Sequence, residues 1–157
     1  MLERVEVHEA GHAVVAAHFG ADVLGIAFAL ETAGFRAMAL YNTPPPSSVD
    51  DLSVIYAAGS AGEQLVYGEY GDVGALGDRK DLERVGATLD YPTLVSRAQD
   101  ILDNRRAHFD RVTTLVTERL HSSQEIRMGL LPNGMEGAFI LTASDVRDAG
   151  QMSVFCP

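Results

Sequence analysis

Apolar residues crowd the first twenty positions of the chain, where Val5, Ala13, Val14, Ala16 and Ala17 give bulk to one helix predicted from about Leu2 to Phe19. Gly20 ends it, as a glycine after the last helical turn commonly does. Two short apolar runs follow, Val23 to Leu30 and Phe35 to Tyr41, on either side of Glu31-Thr32-Ala33-Gly34, and together they read as a β-hairpin. Thr43-Pro44-Pro45-Pro46-Ser47-Ser48 is a stiff loop, too short to be a linker between domains. Ser48 then caps a second helix, with Asp50 and Asp51 in the first turn where the helix dipole favours negative charge. This helix runs through Ile55, Ala58, Gly62 and Leu65 to Gly68, and its small residues at 57–62 predict close packing on another helix, the first being the candidate. Gly71, Gly74 and Gly77 punctuate the approach to Asp78-Arg79-Lys80-Asp81 and a third helix reaching about Leu89.

After a break at Tyr91-Pro92-Thr93, the spacing of Leu94, Ile101, Leu102, Phe109, Val112, Leu115 and Val116 predicts one long amphipathic helix from Thr93 to about Leu120. His108 and His121 fall on its polar surface. Residues 122–141 are less regular, with Pro132-Asn133-Gly134 as a turn, and Thr142 with Asp145 caps a last short helix. The fold class expected from this pattern is α+β, predominantly helical, with a small β-hairpin or sheet and a helical bundle containing one long helix in the C-terminal half.

Length and composition narrow the function classes. A chain of 157 residues fits one domain with a modest core. Its net charge of −10 argues against nucleic acid as a partner, because phosphate binding needs clustered Lys and Arg. No apolar run approaches the length of a membrane span, and no signal-peptide pattern opens the chain. Cys156 is the only cysteine, so an internal disulfide is ruled out and a reducing cytoplasm is the default expectation.

The chemistry concentrates in His8-Glu9-Ala10-Gly11-His12, a complete H-E-x-x-H box. Helical residues four apart lie one above the other, so both imidazoles can reach one metal ion while Glu9 can take a proton from a water on that ion. Chance alone would place this box in roughly one chain of this length in a few hundred. The alternative is an exposed helix that happens to carry two histidines. Gly11 inside the helix costs about 1 kcal/mol against alanine, which predicts the close approach of another backbone.

A catalytic zinc needs a third protein ligand and leaves the fourth position to water. His18 has the spacing of an H-E-x-x-H-x-x-G-x-x-H site, but the required turn glycine is replaced by Val15. The helix therefore continues, and His18 lies about 240° round from His12. The remaining candidates are Glu63, Asp72, Asp78 and Asp81, among which spacing does not choose.

The run Val7-His8-Glu9-Ala10-Gly11-His12-Ala13-Val14-Val15-Ala16 resembles the zinc helix of the FtsH-type ATP-dependent metalloproteases. Ala58-Gly59-Ser60-Ala61-Gly62-Glu63-Gln64-Leu65-Val66-Tyr67-Gly68, followed by Gly74-Ala75-Leu76-Gly77-Asp78, is similar to that family's small-residue helix and Gly-Ala-x-Asn-Asp motif. Ala98 to Arg105 resembles its long helix, so the likeness covers about residues 4–121 in order and rough spacing. It implies a zinc metallopeptidase domain over 1–157, with Zn2+ bound by His8, His12 and Asp78, and Glu9 as general base. Asp81, one turn further on, is the rival third ligand, and Glu63 matches a glutamate placed beside the family's site.

Departures from the family qualify what the resemblance implies. Gly77 stands where the family usually has asparagine, Arg79 where it usually has an aliphatic residue, and the segment from Asp90 to Val95 is much shorter. Residues 122–141 have no counterpart, and no Walker lysine motif is present. The implied substrates are therefore short peptides or unfolded polypeptides, with a separate ATPase as the partner that would extend the range. The family's hexameric protease rings imply a homo-oligomer. A second reading is a peptidase-derived zinc-binding regulatory or interaction module without significant catalysis, against which the intact Glu9 counts. A third is a structural metal with a fourth protein ligand.

Overall fold

The computed structural model describes residues 3–32, 34–42, 48–122 and 127–152. The loop read at 43–47 and Cys156 lie outside them. The described residues form an α+β fold, mostly helical: α1 (Arg4–His18), β1 (Asp22–Glu31), β2 (Gly34–Asn42), α2 (Val49–Tyr67), α3 (Asp72–Val85), α4 (Tyr91–Asn104), α5 (Arg106–Leu120), β3 (Gly129–Leu130), β4 (Glu136–Thr142) and α6 (Ala143–Met152). Among them, no helix is long and apolar enough to cross a membrane.

The four strands make one antiparallel sheet in the order β2-β1-β4-β3, which leaves β2 at an edge. The first hairpin pairs Asp22 with Asn42 at one end and Glu31 with Gly34 at the other. Pro132-Asn133-Gly134 turns the chain between β3 and β4, closed by Gly134 N–H donating to the Leu131 carbonyl at 2.8 Å. Alternation along the strands separates two faces. Ile26, Ala39 and Tyr41 join the main core, while Ala27, Ala29, Met38 and Leu40 form a smaller cluster with Leu131 and Met135 on the other face.

Helix α1 is buried from Glu6 through Ala16, which explains why its apolar residues do not keep to one stripe. It packs on β1, β2 and α5, with α2 laid across it. α3 and α4 pack in turn on α2, while α5 and α6 cover the sheet. A Cβ at Gly11 would collide with the carbonyl oxygen of Ala58. The glycine in the H-E-x-x-H box thus has the predicted cause: the α2 backbone runs directly over α1. The small-residue segment of α2 is the surface that makes this contact, with Ala57, Ala58 and Ala61 all fully buried.

Three local expectations are corrected. The third helix begins at Asp72, not Asp78, so Gly74 and Gly77 lie inside it; it ends at Val85, where Gly86 adopts a left-handed cap at φ 74°. Helix formation over the glycines follows from packing, since Ala75 is fully buried between them. The long helix is in fact two, with Arg105 at φ −117° and ψ 30° between them. Asp103 and Asn104 are poor helix formers, and the Asn104 side chain donates to the Asp100 carbonyl, the acceptor its own backbone N–H would use. The bend lets α4 follow α2 while α5 follows α1 and α6. The α4 start also lies earlier than Thr93, because Asp90 caps it through Thr93 N–H at 2.9 Å and Pro92 falls in the first turn, where its missing donor costs nothing.

His108 is the third correction. It is buried between α5 and α6, with its Nε2–H donated to the Val146 carbonyl at 2.8 Å. His121 is exposed, as its position on the polar face predicts.

Candidate metal centre

The 3.6-residue period of α1 puts the His8 and His12 rings on one face, with their Nε2 atoms 3.1 Å apart. The Asp78 carboxylate descends from α3 to meet them, with Oδ1 3.3 Å from His12 Nε2 and Oδ2 3.6 Å from His8 Nε2. A tetrahedral ion with bonds of about 2.0–2.1 Å spaces its ligand atoms roughly 3.4 Å apart, so these three distances suit one shared cation. Among the described residues, His8, His12 and Asp78 form the group able to hold a metal ion, and all three are buried.

The opposite ring nitrogens decide which lone pairs are free. His8 Nδ1–H donates to Glu63 Oε1 at 2.8 Å, and His12 Nδ1–H donates to the Ile55 carbonyl at 2.8 Å. Both imidazoles are thereby fixed in the tautomer that leaves Nε2 as the donor toward the shared point. Glu63 is 3% exposed and accepts two further hydrogen bonds at Oε2, from Arg4 Nη1 at 3.0 Å and Gly71 N at 2.8 Å. Glu63 therefore holds the His8 ring from behind and stands outside the group of three. Asp81 pairs with Arg84 at 3.2 Å, and it and Asp72 line the cleft wall without joining the triad. His18 lies apart from the group and accepts from Arg105 Nε at 2.9 Å. No fourth protein ligand stands beside the triad among the described residues.

The electrostatics favour positive charge at this point. Burial works most strongly against a charged His8, yet Asp78, Glu63 and Glu9 overcome it and raise its pKa to about 10. His12 is raised as well, against burial, chiefly by the Asp78 charge. Asp78 lies well below the ordinary carboxylate range: burial acts to raise it and is outweighed by His12 and His8. The carboxylates around the two rings thus make this a favourable point for a cation.

Small residues make the room. A Cβ at Gly59 on α2 would collide with the Nε2 atoms of both histidines, and one at Gly74 on α3 would press on the His8 ring. Two polar neighbours have no sequence signal that marks them. The Tyr91 hydroxyl donates to Asp78 Oδ2 at 3.4 Å and shares a hydrogen bond with Ser60 Oγ at 2.7 Å. Arg4 reaches Glu63 from the start of α1.

Glu9 lies beside the triad, 8% exposed, and its Oε2 accepts from the Ala39 backbone N–H of β2 at 2.6 Å. That bond shows Ala39 facing out of the sheet edge, and alternation turns the backbones of Ala37 and Tyr41 the same way. The triad, Glu9 and this edge all border one open cleft of about 1060 Å³, whose walls include Val5, Met38 and Val73. No family model matches the chain, and a comparison with curated proteins finds no significant relative.

Proposed function

We propose that this chain is a zinc-dependent metallopeptidase acting on short or unfolded polypeptides. The observation that carries the reading is the convergence of His8 Nε2, His12 Nε2 and an Asp78 oxygen at ligand spacing, with Glu9 beside them in an open cleft. The donor set fits zinc, which takes imidazole and carboxylate ligands and keeps an open position when it is catalytic. Zinc held there would lower the pKa of a bound water to about 7 and polarise a peptide carbonyl.

The residues of the chain supply the rest. Glu9 accepts a proton from the attacking water and passes it to the leaving amine nitrogen. The Ala39 N–H holds Glu9 Oε2, which leaves the other oxygen to take the proton. The open edge of β2 offers backbone donors and acceptors to an extended peptide, so a substrate segment must be unfolded to bind. A separate ATPase that delivered unfolded chains would extend the range to folded proteins.

The test is zinc content and hydrolysis of a quenched fluorescent casein, for the wild type, Asp78→Ala and Glu9→Gln. About one zinc per wild-type chain, lost in Asp78→Ala and kept without hydrolysis in Glu9→Gln, is the expected result. Zinc binding with no hydrolysis by the wild type would leave a metal-binding module. Absence of zinc after reconstitution would overturn the metal centre itself.

A further inference from the structure

We propose that Arg4 is a positioning residue of the metal centre, acting on His8 through Glu63. The inference rests on the reading of His8, His12 and Asp78 as a zinc site. Arg4 stands one turn before His8 on α1 and spans two carboxylates. Its Nη1 lies 3.0 Å from Glu63 Oε2 and its Nη2 lies 2.8 Å from Glu69 Oε1, with the guanidinium 4.9 Å over the Tyr67 ring. The Gly71 N–H binds the same Glu63 oxygen at 2.8 Å. With Oε2 held from two sides, Oε1 is the oxygen left to meet His8 Nδ1 at 2.8 Å.

Arg4 thus fixes the rotation of the carboxylate that fixes the tautomer and tilt of a metal ligand. The same contacts tie the start of α1 to the end of α2 and to the short turn before α3, which carries Asp78. Arginine suits this task because its rigid planar fork holds two carboxylates at fixed angles, whereas the compact ammonium of lysine is a rotating point charge without that geometry. The competing account is an ordinary surface ion pair: the Arg4 side chain is 42% exposed, and such pairs contribute little to stability. The two accounts differ in what metal affinity does.

The experiment is zinc affinity by chelator competition for the wild type, Arg4→Ala, Arg4→Lys, Glu63→Ala and the Arg4→Ala/Glu63→Ala double variant, with thermal unfolding of the zinc-free proteins alongside. Outer contacts to ligating histidines typically change metal affinity by about 10–100-fold. Arg4→Ala is expected to weaken zinc binding by about tenfold, with zinc-free unfolding little changed and only partial recovery in Arg4→Lys. In the Glu63→Ala background, Arg4→Ala should have less than about a twofold further effect, because its route to His8 is gone. A change below about twofold in the single variant, or an undiminished effect without Glu63, would overturn the positioning role. Failure of the wild type to bind zinc would instead overturn the metal centre, and this inference with it.

Discussion

Adding one methyl group to α2 should close the candidate metal centre. A Cβ at Gly59 falls against both Nε2 atoms, 2.6 Å from that of His12, whereas a Cβ at Gly77 on α3 meets nothing within 4 Å. Both positions are helical, so glycine-to-alanine replacement contributes about 1 kcal/mol of helix propensity at either one. At Gly77 nothing opposes that gain. At Gly59 the imidazoles must shift, but their Nδ1–H groups are anchored to Glu63 and the Ile55 carbonyl. Overpacking costs about 1–3 kcal/mol, and each buried hydrogen bond that breaks adds about 1–3 kcal/mol. With one of those bonds broken, Gly59→Ala should therefore lose about 1–5 kcal/mol net in the zinc-free protein, while Gly77→Ala gains up to about 1 kcal/mol. For a chain of this size each kcal/mol moves Tm by about 2–4 °C, so the two variants should move in opposite directions in thermal unfolding with chelator present. Zinc affinity should fall by more than about 100-fold in Gly59→Ala, beyond the range of outer contacts, and stay within about twofold of wild type in Gly77→Ala. Wild-type zinc affinity in Gly59→Ala would refute the placement of α2 over the two histidines, and with it the geometry of the site.

Three further outcomes follow from single contacts. Glu9→Gln should keep zinc stoichiometry and lower hydrolysis by at least about 100-fold, measured as the initial rate on an unfolded substrate. Tyr91→Phe removes the donor to Asp78 and the partner of Ser60, so chemical denaturation should show a loss of about 1 kcal/mol, and zinc affinity should fall only a few-fold. His108 titrates below the usual histidine value of 6.5 because it is buried, and a proton on its Nδ1 would find no acceptor. The unfolded chain then takes up the proton that the folded chain refuses, so stability present above about pH 6.5 is lost as the pH falls through that value. Denaturation midpoints between pH 7 and 5 with chelator present should fall less steeply in His108→Gln than in wild type; parallel slopes would show that burial does not control this histidine.

How much of this was legible depended on whether a signal lay along the chain or between its parts. The box at 8–12 was readable because one helix fixes the relation of its residues, and the caps at Ser48 and Thr142 are local for the same reason. Glycine at 11 and the small residues of α2 announced a close contact and were paired with each other correctly, since each lacks a side chain where the other must approach. The third ligand was a different problem. Four carboxylates lay at acceptable distances along the chain, and family resemblance, not spacing, favoured Asp78 over Asp81; the structure brings Asp78 to the histidines and turns Asp81 to Arg84.

The readings that failed share one physical origin: tertiary packing overrode a local preference. Gly74 and Gly77 weaken a helix on propensity alone, yet α3 runs through both, and at Gly74 the missing side chain leaves room for the His8 ring. The apolar period from Leu94 to Val116 passes unbroken through Arg105, because each half still buries one face, and only the different partners of α4 and α5 require the bend. His108 stands four and eight residues before Val112 and Val116, on the buried stripe of α5, but its polarity favours the surface until α6 folds over it. The glycines of α2 and α3 thus carry the same information as the histidines of α1. A metal site buried between helices would need residues that donate and residues that leave room, and in this chain the second kind, Gly59 and Gly74, is visible only once the helices are packed.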